Sequence, residues 1–362
     1  MRHFKRYLLP MKTVPAPVIV VSHASALRGI RSARRRYGRL PWRALDEDEQ
    51  AKVLGSRTTH GDGLDRSLLL REGFTDGDDA IEALVSGDNL RPHTEELSLH
   101  VISADLPPGS VMEVAPGVYS VCPALAAIQY AQSHDLYQTI ALLMELRGSF
   151  SLPEDHAPVA ATATPIRPDE DEPSLSYYEG DPVLTGYDME ALLKSVHGIN
   201  GMGIAARANA IALDGARSPM EAIMAAVFHA PRGAGGFGLS KMLLNHTIEF
   251  NEEATKVSGM RKAVCDAYIF PALSTLEYNG SFHDATTRRQ HDEKRDMGLS
   301  AMGIKTFPLN DQQLRNIEAM EVIAKMVHRR AGGRYNNRTK GYRVKQIALL
   351  NGLRCALGLR PC

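Results

Sequence analysis

The chain has 362 residues, of which 44% are apolar and 23% charged, with 42 Lys and Arg balanced by 42 Asp and Glu. These proportions exclude a fibrous or intrinsically disordered polymer, and the length exceeds what one small hydrophobic core serves, so two domains are expected. Four cysteines, Cys122, Cys265, Cys355 and Cys362, form no CxxC pair, which argues against a disulfide framework or a zinc knuckle and fits a reducing compartment.

In chain order, "MRHFKRYLLPMK" and "VPAPVIVV" come first, and Lys12 with the prolines breaks any apolar stretch well short of the ~18 residues of a membrane span. A cytoplasmic location is expected, with a degenerate signal peptide as the alternative. "SHASALRGIRSARRR" reads as a helix capped by Ser22 or Ser25 and carries a basic cluster, Arg31, Arg34, Arg35, Arg36 and Arg39. "ELSLHVISADL" and "GSVMEVAPGVYSV" read as strands that turn at Pro107, Pro108 and Gly109. Two apolar helices follow in "CPALAAIQYAQSHDLYQTIALLMELRGSF". Residues 1–150 therefore predict a mixed α/β domain. No catalytic constellation stands out in it; His23 and His134, each at a helix start, read as caps or surface residues rather than ligands.

Residues 151–182, "SLPEDHAPVAATATPIRPDEDEPSLSYYEGDP", mix Pro, acid and small residues without a period and read as an acidic, Pro-rich linker. Over 183–215, "DMEALLKSVHG" and "GIAARANAIALDGA" predict a helical hairpin. A helix then starts at Ser218, with Pro219 at its first position and Glu221 placed for a capping box. Three strand candidates follow, "KMLLNHTIEFN", "KAVCDAYIF" and "STLEYNG". The helix "DATTRRQHDEKRDMGLSAMG" and the strand "IKTFPL" complete an αβββαβ order over 216–310. The fold class is thus α/β, with a basic helical tail over 311–362.

That tail has no acid from Val322 to Cys362, while Arg329, Arg330, Arg334, Arg338, Lys340, Arg343, Lys345, Arg354 and Arg360 are all cationic. One-sided basic segments suit polyanions such as DNA, because Lys and Arg displace condensed counterions from phosphates; a solvated helix face is the other reading.

Asp266 lies inside one strand candidate and Glu277 ends the next, just before an Asn-Gly turn and His283. A hairpin turning at Pro271 would bring the two carboxylates onto neighbouring strands, and strand alternation places Glu277 and Asn279 on one face. Paired carboxylates on a sheet edge are the hard-oxygen donors that Mg²⁺ needs for phosphodiester hydrolysis. The competing reading is a hairpin with polar ends, since Asn-Gly is itself a strong turn signal.

From Ser218 to about Leu309 the chain resembles the PD-(D/E)XK nuclease superfamily, in the branch of very-short-patch-repair endonucleases. The resemblance rests on Glu221; on Asp266 with Tyr268 and Pro271; on Glu277, Gly280 and His283; on Asp292 with Arg295; and on Leu299 with Gly303. It implies a restriction-endonuclease-like domain in which Asp266 and Glu277 ligate Mg²⁺, Glu221 is an accessory acid and His283 lies beside the scissile phosphate. The superfamily's Lys, or the branch's Asp, is here Asn279, which brings no charge to activate a water. More faintly, "SHASAL" and "APGVYSVCPALAAIQYA" are similar to stretches of abortive-infection antitoxin regulators of toxin-antitoxin systems, which implies DNA binding and regulation. The resemblances thus imply a DNA-interacting protein, either a hydrolase or a non-catalytic regulator on a degenerate nuclease fold.

Glu221 is equally explained by its helix cap, and Asp292 and Arg295, three apart on a helix, by pairing with each other. The run "GAGGFGLSK", residues 233–241, is no phosphate loop, because Leu239 stands where the Lys should follow Gly238 and the run follows a helix; it reads as a flexible connection.

Overall fold

The computed structural model describes residues 18–90, 94–280, 286–336 and 339–362. Its first half supplies β1 (Ile19–Val21), α1 (His23–Tyr37), β2 (Arg43–Ala44), α2 (Glu47–Leu54), α3 (Arg66–Arg71), β3 (Ile81–Val85), β4 (Leu97–Val101), β5 (Val111–Ala115), β6 (Val118–Val121), α4 (Pro123–Tyr130) and α5 (Leu136–Leu146). The strands form one mixed sheet in the order β2-β5-β6-β1-β3-β4. In it, β1 runs parallel to β6 and antiparallel to β3, and β3 runs parallel to β4. The mixed α/β expectation holds. β1 and β3 are additions to it: β1 is a short apolar run whose partners, β3 and β6, both lie far along the chain, and β3 is a five-residue run between that distant strand and β4.

The 151–182 segment is irregular, as its composition requires, yet it is not a free linker. At its ends β7 (Phe150–Ser151) pairs antiparallel with β8 (Tyr178–Glu179). Between them Leu152 and Ile166 are buried, and the amides of Val159 and Ile166 each donate at 2.8 Å to carbonyls near the C-terminus, those of Cys355 and Pro361. The carboxylate of Glu172 takes two bonds, 2.8 and 2.9 Å, from Arg354, whose side chain is fully buried. Acidic residues of the expected linker are therefore partners of arginines in the tail.

The second half continues with α6 (Gly186–Ser195) and α7 (Met202–Asn209), which pack as the expected hairpin, and with α8 (Pro219–His229). Then come β9 (Met242–Glu249), α9 (Glu252–Ser258), β10 (Lys262–Ile269), β11 (Ser274–Tyr278), α10 (Thr286–Ala301), β12 (Lys305–Leu309), α11 (Asp311–Arg315), α12 (Ile317–Arg330) and α13 (Tyr342–Ala356). A second sheet has the order β12-β11-β10-β9, antiparallel except for the parallel β11–β12 pair. The stretch from α8 to β12 is thus αβαββαβ rather than αβββαβ. The added α9 begins where Asn251 accepts from the Ala254 amide at 2.8 Å and ends at Gly259, in the left-handed region at φ +69°. Similarly, within the tail read as helical over 311–362, Asn316 separates α11 from α12, its side chain accepting from the amides of Glu318 and Ala319.

One contiguous apolar core runs from Ile19 to Leu359, and α5 packs against α7, α8 and α13. Helices of the second half thus close on a helix of the first, so the two interiors expected from length are one. A smaller cluster, including Cys265, Tyr268, Leu299 and Ile304, lies under α10. There a Cβ on Gly298 would collide with the Phe250 ring, so glycine is what lets the end of β9 and α10 approach. Among the described residues, no helix is long and apolar enough to cross a membrane.

Candidate functional site

The β10–β11 hairpin pairs Ala267 with Leu276, which makes Asp266 and Glu277 the next rung. Regular pairing stops there because the Asp266 carboxylate itself accepts from the Tyr278 amide, at 2.8 Å. Glu277 is 2% exposed, and its Oε2 lies 3.2 Å from Arg295 Nη1 on α10. Its Oε1 is buried and meets no hydrogen-bond partner among the described residues. The acid spacing read from the sequence does place both carboxylates on adjacent strands, but Glu277 is sealed and Asp266 is only half-buried.

Asn245 on β9 continues the row, since its neighbours Leu244 and His246 pair with Ala267 and Cys265 on either side of Asp266. Its backbone is left-handed, φ +46°, and its Nδ2 donates to Gly215 O at 2.7 Å and to Glu221 Oε2 at 3.0 Å. Sequence reasoning passes over Asn245; an Asn inside an apolar strand candidate is the available signal. Glu221 is occupied as a cap. It accepts from the Arg217 amide at 3.0 Å and from Ser218 Oγ at 3.1 Å, while Ser218 Oγ accepts from its amide at 3.2 Å.

The charges respond to this crowding. Burial, and then the Glu221 carboxylate, push Asp266 up to about 6. Burial and then Asp266 push Glu277 up to about 8, against the opposing pull of Arg295. Arg295 pairs with Glu277 and, at 3.7 Å, with Asp296, rather than with Asp292 as its helical spacing suggested. Asn279 lies past the end of β11, exposed, its amide donating to Leu309 O at 2.8 Å. His283 lies outside the described residues.

Magnesium demands several unencumbered hard oxygens in near-octahedral array. Here Asp266 Oδ2 holds an amide, Glu277 Oε2 holds a guanidinium and both oxygens of Glu221 hold a helix start. A fixed cation already stands beside Glu277 and the residue at 279 is neutral, which leaves few free oxygens for a Mg²⁺. Among the described residues, the group of three spaced for a metal is instead His23, Glu82 and His100. His23, expected to be a cap or a surface residue, is the half-buried first residue of α1, next to the cap position at Ser22, and His100 carries no sequence motif of its own.

The tail's cations are largely occupied within the chain. Arg330 donates to Ala272 O, Ser274 Oγ, Leu273 O and Gly303 O at 2.8 to 3.2 Å, tying the hairpin turn to the end of α10. Arg343 pairs with Glu321, Lys345 donates to Gly233 O and Arg360 pairs with Glu170. In the earlier cluster, Arg31 is bidentate to buried Glu145, Arg34 donates to the Glu145, Gly148 and Gly180 carbonyls, and Arg35 and Arg36 pair with Glu154 and Glu72. Arg329, Arg334 and Lys340 are exposed, as are Arg330, Arg343 and Lys345 despite their bonds within the chain. Arg338 lies outside the described residues.

The glycine-rich run after α8 is a tight turn rather than a loose connection: a Cβ on Gly236 would collide with Ala230 O.

No family model matches the chain, and neither a curated protein nor a solved structure matches it.

Proposed function

We propose that this chain is a DNA-interacting protein whose second sheet is a nuclease-like scaffold that no longer hydrolyses, a regulator rather than an enzyme. The observation that carries this reading is the Arg295–Glu277 contact: a fixed side-chain cation stands against the one fully buried carboxylate of the acidic row. Asn279 supports it, since an exposed amide cannot activate a water by charge. For DNA, the support is the resemblance to the nuclease superfamily and the exposed cations Arg329, Arg334 and Lys340, which suit phosphates on a long polyanion.

A second reading, Mg²⁺-dependent phosphodiester cleavage at Asp266 and Glu277, is favoured by one feature, the buried and unpartnered Oε1 of Glu277. The two readings separate in a plasmid-nicking assay with Mg²⁺ or Mn²⁺, run beside a binding assay on the same duplex. The regulator reading expects salt-dependent binding and no metal-dependent nicking above that of Glu277→Ala. Nicking by the wild type that Glu277→Ala abolishes would replace it with the hydrolase, and absence of DNA binding would remove both.

A further inference from the structure

We propose that His23, Glu82 and His100 form a binding site for a divalent ion of the zinc class. The three side chains come from the first turn of α1, from β3 and from β4, and each offers a ligand atom within 4.8 Å of the other two. Glu82 Oε1 and His100 Nε2 are already 3.2 Å apart, and the two imidazoles stack with centroids 3.6 Å apart at 25°. Tetrahedral bonds of about 2.0–2.2 Å separate ligand atoms by roughly 3.3 Å, so the set closes around one ion once one imidazole turns out of the stack to aim its in-plane lone pair at it. Two imidazoles and a carboxylate suit zinc and its neighbours better than magnesium or calcium, which prefer oxygen alone.

His23 and Glu82 are also held from behind, as metal ligands require. Ser22 Oγ lies 2.9 Å from His23 Nδ1, and Glu82 Oε2 accepts from the Ala24 amide at 2.6 Å, which leaves Oε1 turned to His100. His23 itself sits at φ +49°, an uncommon conformation for a residue with a Cβ, and its amide is tied to Gln129 Oε1 at 3.0 Å. Ser22, not His23, stands at the cap position of α1. His23 and His100 also line a cavity of about 500 Å³, shared with Gln129 and Asn200, so a fourth coordination position opens onto space for water or a small anionic ligand. The site would fasten α1 to the β3–β4 edge of the first sheet.

The experiment uses the full chain after chelator treatment, titrated with Zn²⁺ by calorimetry and with Co²⁺ by visible absorption. The expected result is one ion per chain, with affinity reduced at least about tenfold in His23→Asn, His100→Gln and Glu82→Gln and unchanged in His134→Gln. Asn is chosen at position 23 because it tolerates the left-handed backbone, and Gln at 82 because it can still accept from Ala24. Should a variant fail to fold, X-ray absorption on zinc-loaded wild type decides alone, with two imidazoles bound directly to the metal expected. Sulfur bound to the metal, or variants that bind as tightly as wild type, would overturn the proposal.

Discussion

Arg295, on the helix that precedes β12, reaches the buried end of Glu277 on β11, 3.2 Å from Nη1 to Oε2. The contact joins the most hidden carboxylate of the acidic row to the cation nearest it, yet burial and Asp266 still hold that carboxyl up at about 8. The pair is therefore a pH-sensitive element of the fold.

Stability should fall as pH rises across the neutral range. Asp266, pushed up to about 6, and Glu277, pushed up to about 8, both hold protons more tightly folded than unfolded. Their contribution is complete below the ordinary carboxylate range, near pH 4, and is lost as pH climbs through about 6 and then about 8. Glu277→Gln should flatten the upper limb and stabilise the protein at pH 8.5 by on the order of a few kcal/mol. Urea midpoints at pH 5.5, 7.0 and 8.5 check this; parallel pH profiles for wild type and variant would contradict it.

Removing the cation should hurt most where the carboxylate is charged. Arg295→Ala is expected to cost only about 1 kcal/mol more at pH 8.5 than at pH 6, because a carboxyl that titrates near 8 takes up a proton when its cation is removed rather than standing as a buried anion. Arg295→Ala combined with Glu277→Gln should lose less than the two single effects summed. A pH-independent loss in the single variant would show that Arg295 serves packing rather than charge.

Arg354 and Glu172, 182 residues apart, form a buried bidentate pair. Truncating either one should cost about 3–5 kcal/mol, whereas replacing both with apolar residues of similar volume should recover much of it. Chemical denaturation of Arg354→Ala, Glu172→Ala and Arg354→Met/Glu172→Leu gives the comparison, and a double variant no better than the singles would refute it.

If the chain binds DNA, its cations should divide into two groups. Alanine at Arg329, Arg334 and Lys340 together should lower the slope of log affinity against log salt by up to about 3, roughly 0.9 for each phosphate no longer neutralised. Arg330→Ala should instead lower the melting temperature and leave the slope alone, because its guanidinium holds three carbonyls and a hydroxyl. Equal slope changes from both would place Arg330 on the binding surface after all.

What is legible in the sequence is local. Ser218 and Pro219 mark the start of α8, alternating patterns mark β9 to β11, and the spacing of Asp266 and Glu277 puts them on adjacent strands. The short α9 escapes notice although its Asn251 and Gly259 signals are present, because the apolar alternation on either side dominates. His23, Glu82 and His100 are brought together by pairing of β1 with β3 and β3 with β4, which no local period reveals. The tail's charge is evident from composition but misleads as free surface, because the partners of Arg354 and Arg360 lie nearly two hundred residues upstream.

The strap over 151–182 has a practical consequence for anyone cutting this gene. Its far end is tied to α1, where Gly38 O accepts from the Asp181 amide at 2.6 Å, and its middle is tied to the final helix. A fragment beginning at 183 would carry Arg354 and Arg360 bare, and one ending at 150 would leave α5 open to water. Neither half is expected to be expressible by itself, and reconstitution from two pieces should succeed only when one of them brings the strap along.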